Sequence, residues 1–153
     1  MLRKAKVEDV KKMHALIDSY AKKGEMLPCA LVDLYERLRD FYVFIDDDSK
    51  ELVGACALHI CWEDLGEIRS LAVKGEKKLS GIGKKMALAC LEEAAIIGLK
   101  RVFALTYQPR FFSRLGFKEI DKGELPHKIW GACIKCSKFP ECDETAMMLP
   151  LSE

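Results

Sequence analysis

The segment from Leu65 to Thr106 limits the fold more than any other part of the chain. Leu65–Val73 (LGEIRSLAV) reads as a strand, and Arg101–Thr106 (RVFALT) as a second, compact one. Between them, Gly81–Gly98 is the strongest helical pattern, with Ile82, Met86, Cys90, Ala94 and Ile97 spaced along one face. Strand and helix are joined by a basic turn, Lys77-Lys78-Leu79-Ser80-Gly81-Ile82-Gly83-Lys84-Lys85. A helix start leaves backbone N–H groups unpaired and carries a partial positive charge. Gly81 and Gly83 put no side chain in the way, and Lys77, Lys78, Lys84 and Lys85 add charge around the same turn. That chemistry suits a pyrophosphate. Taken alone, a glycine pair that merely begins a helix is the plainer reading.

The other elements place this unit in a mixed sheet. Val7–Lys22 carries Val10, Met13, Leu16, Ile17 and Tyr20 at helical spacing and stops at Gly24. Leu31–Leu38 reads as a short helix, and Phe41–Ile45, the turn Asp46–Lys50 and Glu51–Trp62 as a hairpin. Pro109–Leu115 reads as a short helix ended by Gly116, followed by strands at Phe117–Ile120 and, after a break at Pro126 and a cysteine-containing loop, Ala146–Leu151. Helices, a strand meander, then strand–helix–strand–helix–strand predict an α/β fold with helices on both faces of the sheet. At 153 residues the simplest organisation is one domain over 1–153, with a cysteine-containing insertion over 121–145.

A net charge of +1 gives no basic field for nucleic acid, and no basic stripe interleaved with aromatics suggests RNA binding. Met1–Lys12 lacks the apolar core of a signal peptide, and no apolar run approaches the roughly 18 residues that span a membrane. These features predict a cytoplasmic protein that meets neither nucleic acid nor membrane.

The turn fits neither common nucleotide loop. The spacing of the Walker pattern is missing, and Met86 stands where the dinucleotide fingerprint has its third glycine. What the chain does resemble, from Leu2 to Ile120, is the GNAT N-acetyltransferase superfamily. The resemblance rests on the strand Glu67–Val73, the turn Lys78-Leu79-Ser80-Gly81-Ile82-Gly83 and the run Phe111-Phe112-Ser113-Arg114-Leu115-Gly116-Phe117, in the family's order. The family's turn pattern is Arg/Gln-x-x-Gly-x-Gly/Ala. The resemblance implies a GNAT fold with a splayed mixed sheet, and acetyl-CoA as co-substrate. It implies that Lys78, Leu79, Ser80, Gly81, Ile82, Gly83 and Lys84 hold the pyrophosphate, and that Leu71, Ala72 and Val73 hold the pantetheine arm and the acetyl group. Lys78 replaces the family's Arg or Gln, which keeps a charge but loses a planar fork.

Within that superfamily, Leu65–Val73, Arg101–Thr106, Phe111-Phe112 and the tail from Leu125-Pro126-His127-Lys128-Ile129-Trp130 to Cys142-Asp143-Glu144 look like the short, kinase-domain-free N-acetylglutamate synthases. This implies acetyl transfer to the α-amine of L-glutamate in arginine synthesis, and a homodimer is common in the superfamily. The acceptor amine must lose a proton before it attacks, and Glu67 is the candidate proton acceptor, with a solvated strand-end charge as its alternative. Arg69, in an otherwise apolar strand, needs an anion: an internal acid or a substrate carboxylate. Lys128 and Thr106 complete the candidate acceptor-binding set, and a backbone N–H near Val73 is the candidate oxyanion donor. Phe112 stands where many GNAT enzymes carry a tyrosine that protonates the departing thiolate. Phenylalanine cannot do so; the thiolate leaves unassisted, takes a proton from water, or is served by Tyr107, and Phe112 walls the cofactor channel.

The chain has seven cysteines and no secretion signal, so a disulfide framework is not expected. Cys29, Cys56, Cys61 and Cys90 read as small core residues. Cys133, Cys136 and Cys142 with His127 form a candidate structural zinc set, with a redox-dependent disulfide and free thiols as alternatives. His14 is expected to face solvent and His59 to be a packed strand residue. Two further readings stay open: a GNAT enzyme with another acceptor (glutamine, another amino acid, an amine or a protein N-terminus), and a non-catalytic acetyl-CoA sensor.

Overall fold

A computed structural model describes residues 1–77, 80–125 and 144–151. Its elements are β1 (Leu2–Lys4), α1 (Val10–Ala21), α2 (Leu31–Glu36), β2 (Phe41–Ile45), β3 (Leu52–Trp62), β4 (Leu65–Val73), α3 (Ile82–Ile96), β5 (Arg101–Thr106), α4 (Pro109–Arg114), β6 (Lys118–Ile120) and β7 (Thr145–Pro150). The strands form one mixed sheet in the order β1-β2-β3-β4-β5-β7-β6. The expected bounds of β4 and β5 are reproduced to the residue, whereas β1 was not foreseen. No helix among the described residues is long and apolar enough to cross a membrane. The chain divides into two compact units, Met1–His59 with Ile68–Glu93, and Ile60–Glu67 with Ala94–Glu153.

In the first unit, β1 pairs antiparallel with β2, and β2 with β3 from Phe41↔Ala57 to Ile45↔Leu52, with a register shift after Phe44. Val10, Met13 and Ile17 of α1 are fully buried at helical spacing. They pack with Leu34 of α2, Phe41 and Val43 of β2, and Leu52, Ala55 and Ala57 of β3. Each such large side chain contributes about 1.5–3 kcal/mol on burial. A charged clasp ties β1 to α1: Arg3 donates to both carboxylate oxygens of Asp9, at 2.7 and 3.1 Å, and the Lys6 N–H donates to Asp9 at 2.7 Å. Burial pushes the Asp9 carboxyl up, but the Arg3 and Lys6 hydrogen bonds outweigh it and hold it below the ordinary range.

The start of α3 lies against β3 at Gly54. A Cβ there would come within 2.8 Å of Met86 Cε and 3.1 Å of Ile82 Cγ2, so any larger residue would make both side chains shift. Cys56 and Cys90 are fully buried, with their sulfurs 3.6 Å apart. Their mutual hydrogen bond and burial push the Cys56 thiol well up, so it stays protonated and inert.

In the second unit, β4 pairs parallel with β5 from Leu65↔Arg101 to Glu67↔Phe103, and β7 pairs antiparallel along all of β5. Cys61, Leu65, Phe103 and Leu125 form its core, flanked by Leu105, Ile120 and Met148. The last turn of α3 corrects one expectation. Ile97 is 48% exposed rather than on the buried face. The helix ends at Ile96, Gly98 turns left-handed at φ 95°, and the Gly98 and Leu99 N–H groups bond back to the Ala95 and Ala94 carbonyls. This closing motif swings Ile97 outward and gives the buried place to Leu99.

Candidate active site

Gly81 caps α3: the Lys85 N–H donates to the Gly81 carbonyl at 3.1 Å. The amides of Ile82, Gly83 and Lys84 thus precede the first helical bond and have no partner within the helix. Gly81 has φ 83°, a left-handed conformation that disfavours any L side chain. A Cβ there would meet no atom of the described residues within 4 Å, so the need for glycine is one of backbone conformation. The preceding loop braces itself, since Ser80 Oγ donates to the Lys77 carbonyl at 2.6 Å. Of the lysines expected to charge the turn, Lys77, Lys84 and Lys85 are described and they divide, with Lys74 beside them at the end of β4. Lys77 Nζ pairs with Asp46 Oδ1 at 3.5 Å, and Lys74 Nζ with Glu51 Oε2 at 2.8 Å, both acids belonging to the β2–β3 hairpin. Lys84 is exposed, and Lys85 Nζ lies 5.9 Å from the centre of the Phe44 ring. The end of β4 is held as well: the Tyr20 hydroxyl donates to the Val73 carbonyl, and the Lys74 N–H donates to the Val53 carbonyl at 2.8 Å.

Upstream on β4, regular alternation would put Arg69, Leu71 and Val73 on one face. Ser70 breaks it. Its φ of 54° is left-handed, a conformation that costs a residue other than glycine about 1–2 kcal/mol. Arg69 and Ser70 both line one recess. Opposite them stand Cys29, Asp33 and Arg37, from the α2 side, together with Asp40 and His59. His59 Nδ1 lies 2.9 Å from Asp40 Oδ2, and the two side chains are 29% and 27% exposed. Burial pushes the Cys29 thiol up and Asp33 adds to this, against the pull of Arg37 and Arg69, so the thiol is neutral near pH 7. The recess is small, and Arg37, Arg69, Asp33, Asp40 and His59 share its lining with apolar side chains.

A model of the Acetyltransferase (GNAT) family matches residues 10–117. The chain belongs to the GNAT acetyltransferase family. An uncharacterized N-acetyltransferase of Chlorobaculum tepidum is 39% identical over 153 residues, covering 98% of this chain and 96% of that one. An amino-acid acetyltransferase of Mycobacterium tuberculosis is 41% identical over 122 residues, covering 79% of this chain and 70% of that one. Among solved structures, a Mycobacterium tuberculosis protein in complex with CoA superposes with a TM-score of 0.86 at 32% identity, covering 99% of each chain. The N-acetylglutamate synthase of Neisseria gonorrhoeae, in complex with CoA and N-acetyl-glutamate, gives a TM-score of 0.89 at 24% identity. This chain is covered completely in that match and spans 35% of the Neisseria chain. The expected fold class and family thus stand, and the protein is a GNAT-type N-acetyltransferase.

The remaining GNAT candidates lie in the second unit. Glu67 is 7% exposed and sits opposite Phe103 in the β4–β5 ladder. Thr106 is buried, and its hydroxyl accepts the Gln108 N–H at 2.7 Å, closing the turn into α4. Phe112 is buried in an edge-to-face stack, its ring centre 5.1 Å from those of Phe111 and Phe117, which makes it a packing residue of this unit. Lys78, Leu79, His127, Lys128, Cys133, Cys136 and Cys142 lie outside the described residues. Among the described residues no group of His, Cys, Asp and Glu is placed to hold a metal ion. Sequence reasoning missed Arg37, Asp40, His59 and Ser70. Arg37 and Asp40 come from one stretch after α2 and His59 from β3, with no shared motif, and nothing local marks Ser70 as left-handed.

Proposed function

We propose that this chain transfers the acetyl group of acetyl-CoA to the α-amine of L-glutamate, by direct attack of the amine on the thioester. The observation that carries the reading is the continuity of β4. Arg69 and Ser70 wall the recess, Leu71–Val73 follow on the same strand, and the chain then enters the helix start at Gly81. One strand thus links a pocket for an acidic amino acid to a seat for a pyrophosphate.

In this reading the amides of Ile82, Gly83 and Lys84 receive the pyrophosphate. Leu71, Ala72 and Val73 run beside the pantetheine arm, and an amide near Val73 faces the developing oxyanion. Arg69 and Arg37 take the acceptor's carboxylates, where a guanidinium fork forms paired, charge-assisted hydrogen bonds. Lys128 is assigned as a further positive group for the dicarboxylate. The amino-acid acetyltransferase of Mycobacterium tuberculosis, at 41% identity, supports an amino acid as acceptor. Phe112 has no proton to give, so the departing thiolate takes one from water.

The test is CoA release from acetyl-CoA with each standard amino acid near neutral pH. Glutamate should be turned over in clear preference to glutamine, which lacks the second carboxylate. Equal kcat/KM for the two would reject the dicarboxylate assignment and leave amino-acid acetylation in place.

A further inference from the structure

We propose that Tyr20 of α1 is a positioning residue for acetyl-CoA: its hydroxyl fixes the end of β4 at the Val73 carbonyl, and through it the pantetheine arm. This rests on reading Leu71–Val73 as the backbone along which the arm lies. Two hydrogen bonds define that strand end. The Lys74 N–H donates to the Val53 carbonyl of β3 at 2.8 Å, and the Tyr20 hydroxyl donates to the Val73 carbonyl. Both bonds meet one peptide group, the one that joins Val73 to Lys74.

The direction of the Val73 carbonyl follows from that peptide. A trans peptide is planar, with its N–H and C=O pointing opposite ways. Here the N–H points at β3, so the carbonyl points away from β3, to the other edge of β4. The strand on that edge is β5, whose ladder with β4 runs from Leu65↔Arg101 to Glu67↔Phe103 and stops short of Val73. Val73 is buried, and a buried carbonyl without a donor costs free energy. A helix side chain therefore supplies at Val73 the hydrogen bond that a neighbouring strand would give.

Tyr20 is carried by a firm frame. It lies one turn beyond Ile17, which with Val10 and Met13 packs α1 on β2 and β3 in a buried core. Leu52 belongs to the same core, and Val53, whose carbonyl holds Lys74, follows it directly. Both partners of the Val73–Lys74 peptide are thus tied to one core. The Val73 oxygen has two lone pairs, of which the phenol uses one. The other suits an amide N–H of the pantetheine arm.

The experiment is Tyr20→Phe, which removes the hydroxyl and keeps the ring at a half-buried position. Calorimetry with CoA, and with its nucleotide half alone (adenosine 3′-phosphate 5′-diphosphate), separates the arm from the turn. CoA affinity should fall about three- to tenfold, the effect of one lost hydrogen bond, and the nucleotide's affinity should not change. In steady state the KM for acetyl-CoA should rise by the same factor, with kcat and the acceptor KM within about twofold of wild type. Hydrogen exchange locates the cause: the Lys74 amide should exchange faster in Tyr20→Phe, while amides of the β2–β3 ladder keep their protection. Tyr20→Leu also lacks the hydroxyl. It should repeat the pattern, and it takes the place of Tyr20→Phe if that variant does not fold.

An equal loss for CoA and the nucleotide half would overturn the inference, because Tyr20 would then act on the turn or on the whole fold. Unchanged CoA affinity in a folded variant would overturn it too. So would a gain, since the hydroxyl would then compete with the arm for the Val73 carbonyl. If wild-type protein binds CoA no tighter than the nucleotide half, the arm gains nothing from β4. The reading of Leu71–Val73 then fails before any variant is made, and the role of Tyr20 fails with it.

Discussion

The helix-start turn and the β4 recess are made of different material. The turn presents backbone: amides that precede the first helical bond of α3, and a left-handed Gly81. Two nearby lysines, Lys74 and Lys77, are engaged by hairpin acids. The recess is lined from three segments, by Asp33, Arg37 and Asp40 of the stretch at and after α2, His59 of β3 and Arg69 of β4. A backbone site is sensitive to conformation and indifferent to most side chains, whereas a side-chain site is the reverse. The same enzyme should therefore lose its two substrates to different kinds of substitution.

The largest effect is expected in the recess. On the proposed reading, in which Arg69 binds a carboxylate of glutamate, Arg69→Ala removes a charge-assisted contact of about 1.5–3 kcal/mol, so KM for glutamate should rise roughly 10- to 100-fold. CoA affinity should stay near wild type. An equal loss for both substrates would erase the division between the two regions. Next comes Gly81→Val, which forces a β-branched residue into a left-handed turn at about 1–2 kcal/mol. CoA affinity by calorimetry should fall roughly tenfold or more. Gly81→Asn, which tolerates that conformation better, should lose less. Unchanged CoA affinity in a folded Gly81→Val protein would break the backbone account.

This division also explains what could be read from the sequence. The turn was legible because a backbone site needs a contiguous signature: glycines, a strand before and a helix after, all within Leu71–Met86. β4 and β5 were legible for the same reason, as continuous runs of strand composition. The recess was not. Arg69 was singled out because a charge in an apolar strand is locally odd. His59 looked like a packed strand residue, because its partner Asp40 lies across a chain reversal and nothing in either segment announces the other. Ser70 shows the limit of periodicity. A period-two reading of β4 groups Arg69 with Leu71 and Val73, but the left-handed Ser70 interrupts that alternation, and Arg69 and Ser70 both line the recess.

The smallest expected effect is the sharpest check on the turn. Lys77 lies beside it in sequence and would be a phosphate ligand if side chains built the site. Its Nζ is instead 3.5 Å from Asp46 Oδ1, with side chains 39% and 22% exposed. A pair this open and this long contributes little. Removing Lys77 strands no charge, since Asp46 also accepts the Ser49 N–H at 3.0 Å and the Ser49 hydroxyl at 2.9 Å. Those two bonds lead in holding the Asp46 carboxyl below its ordinary range, with Lys77 adding less. Lys77→Ala should therefore change CoA affinity less than about threefold at physiological salt, and somewhat more at low salt, where long-range attraction to the phosphates is less screened. A tenfold loss at physiological salt, matching Gly81→Val, would mean that Lys77 leaves Asp46 for the phosphate when CoA binds. The turn would then be a side-chain site like the recess, and the hairpin acids would act as competitors for its lysines.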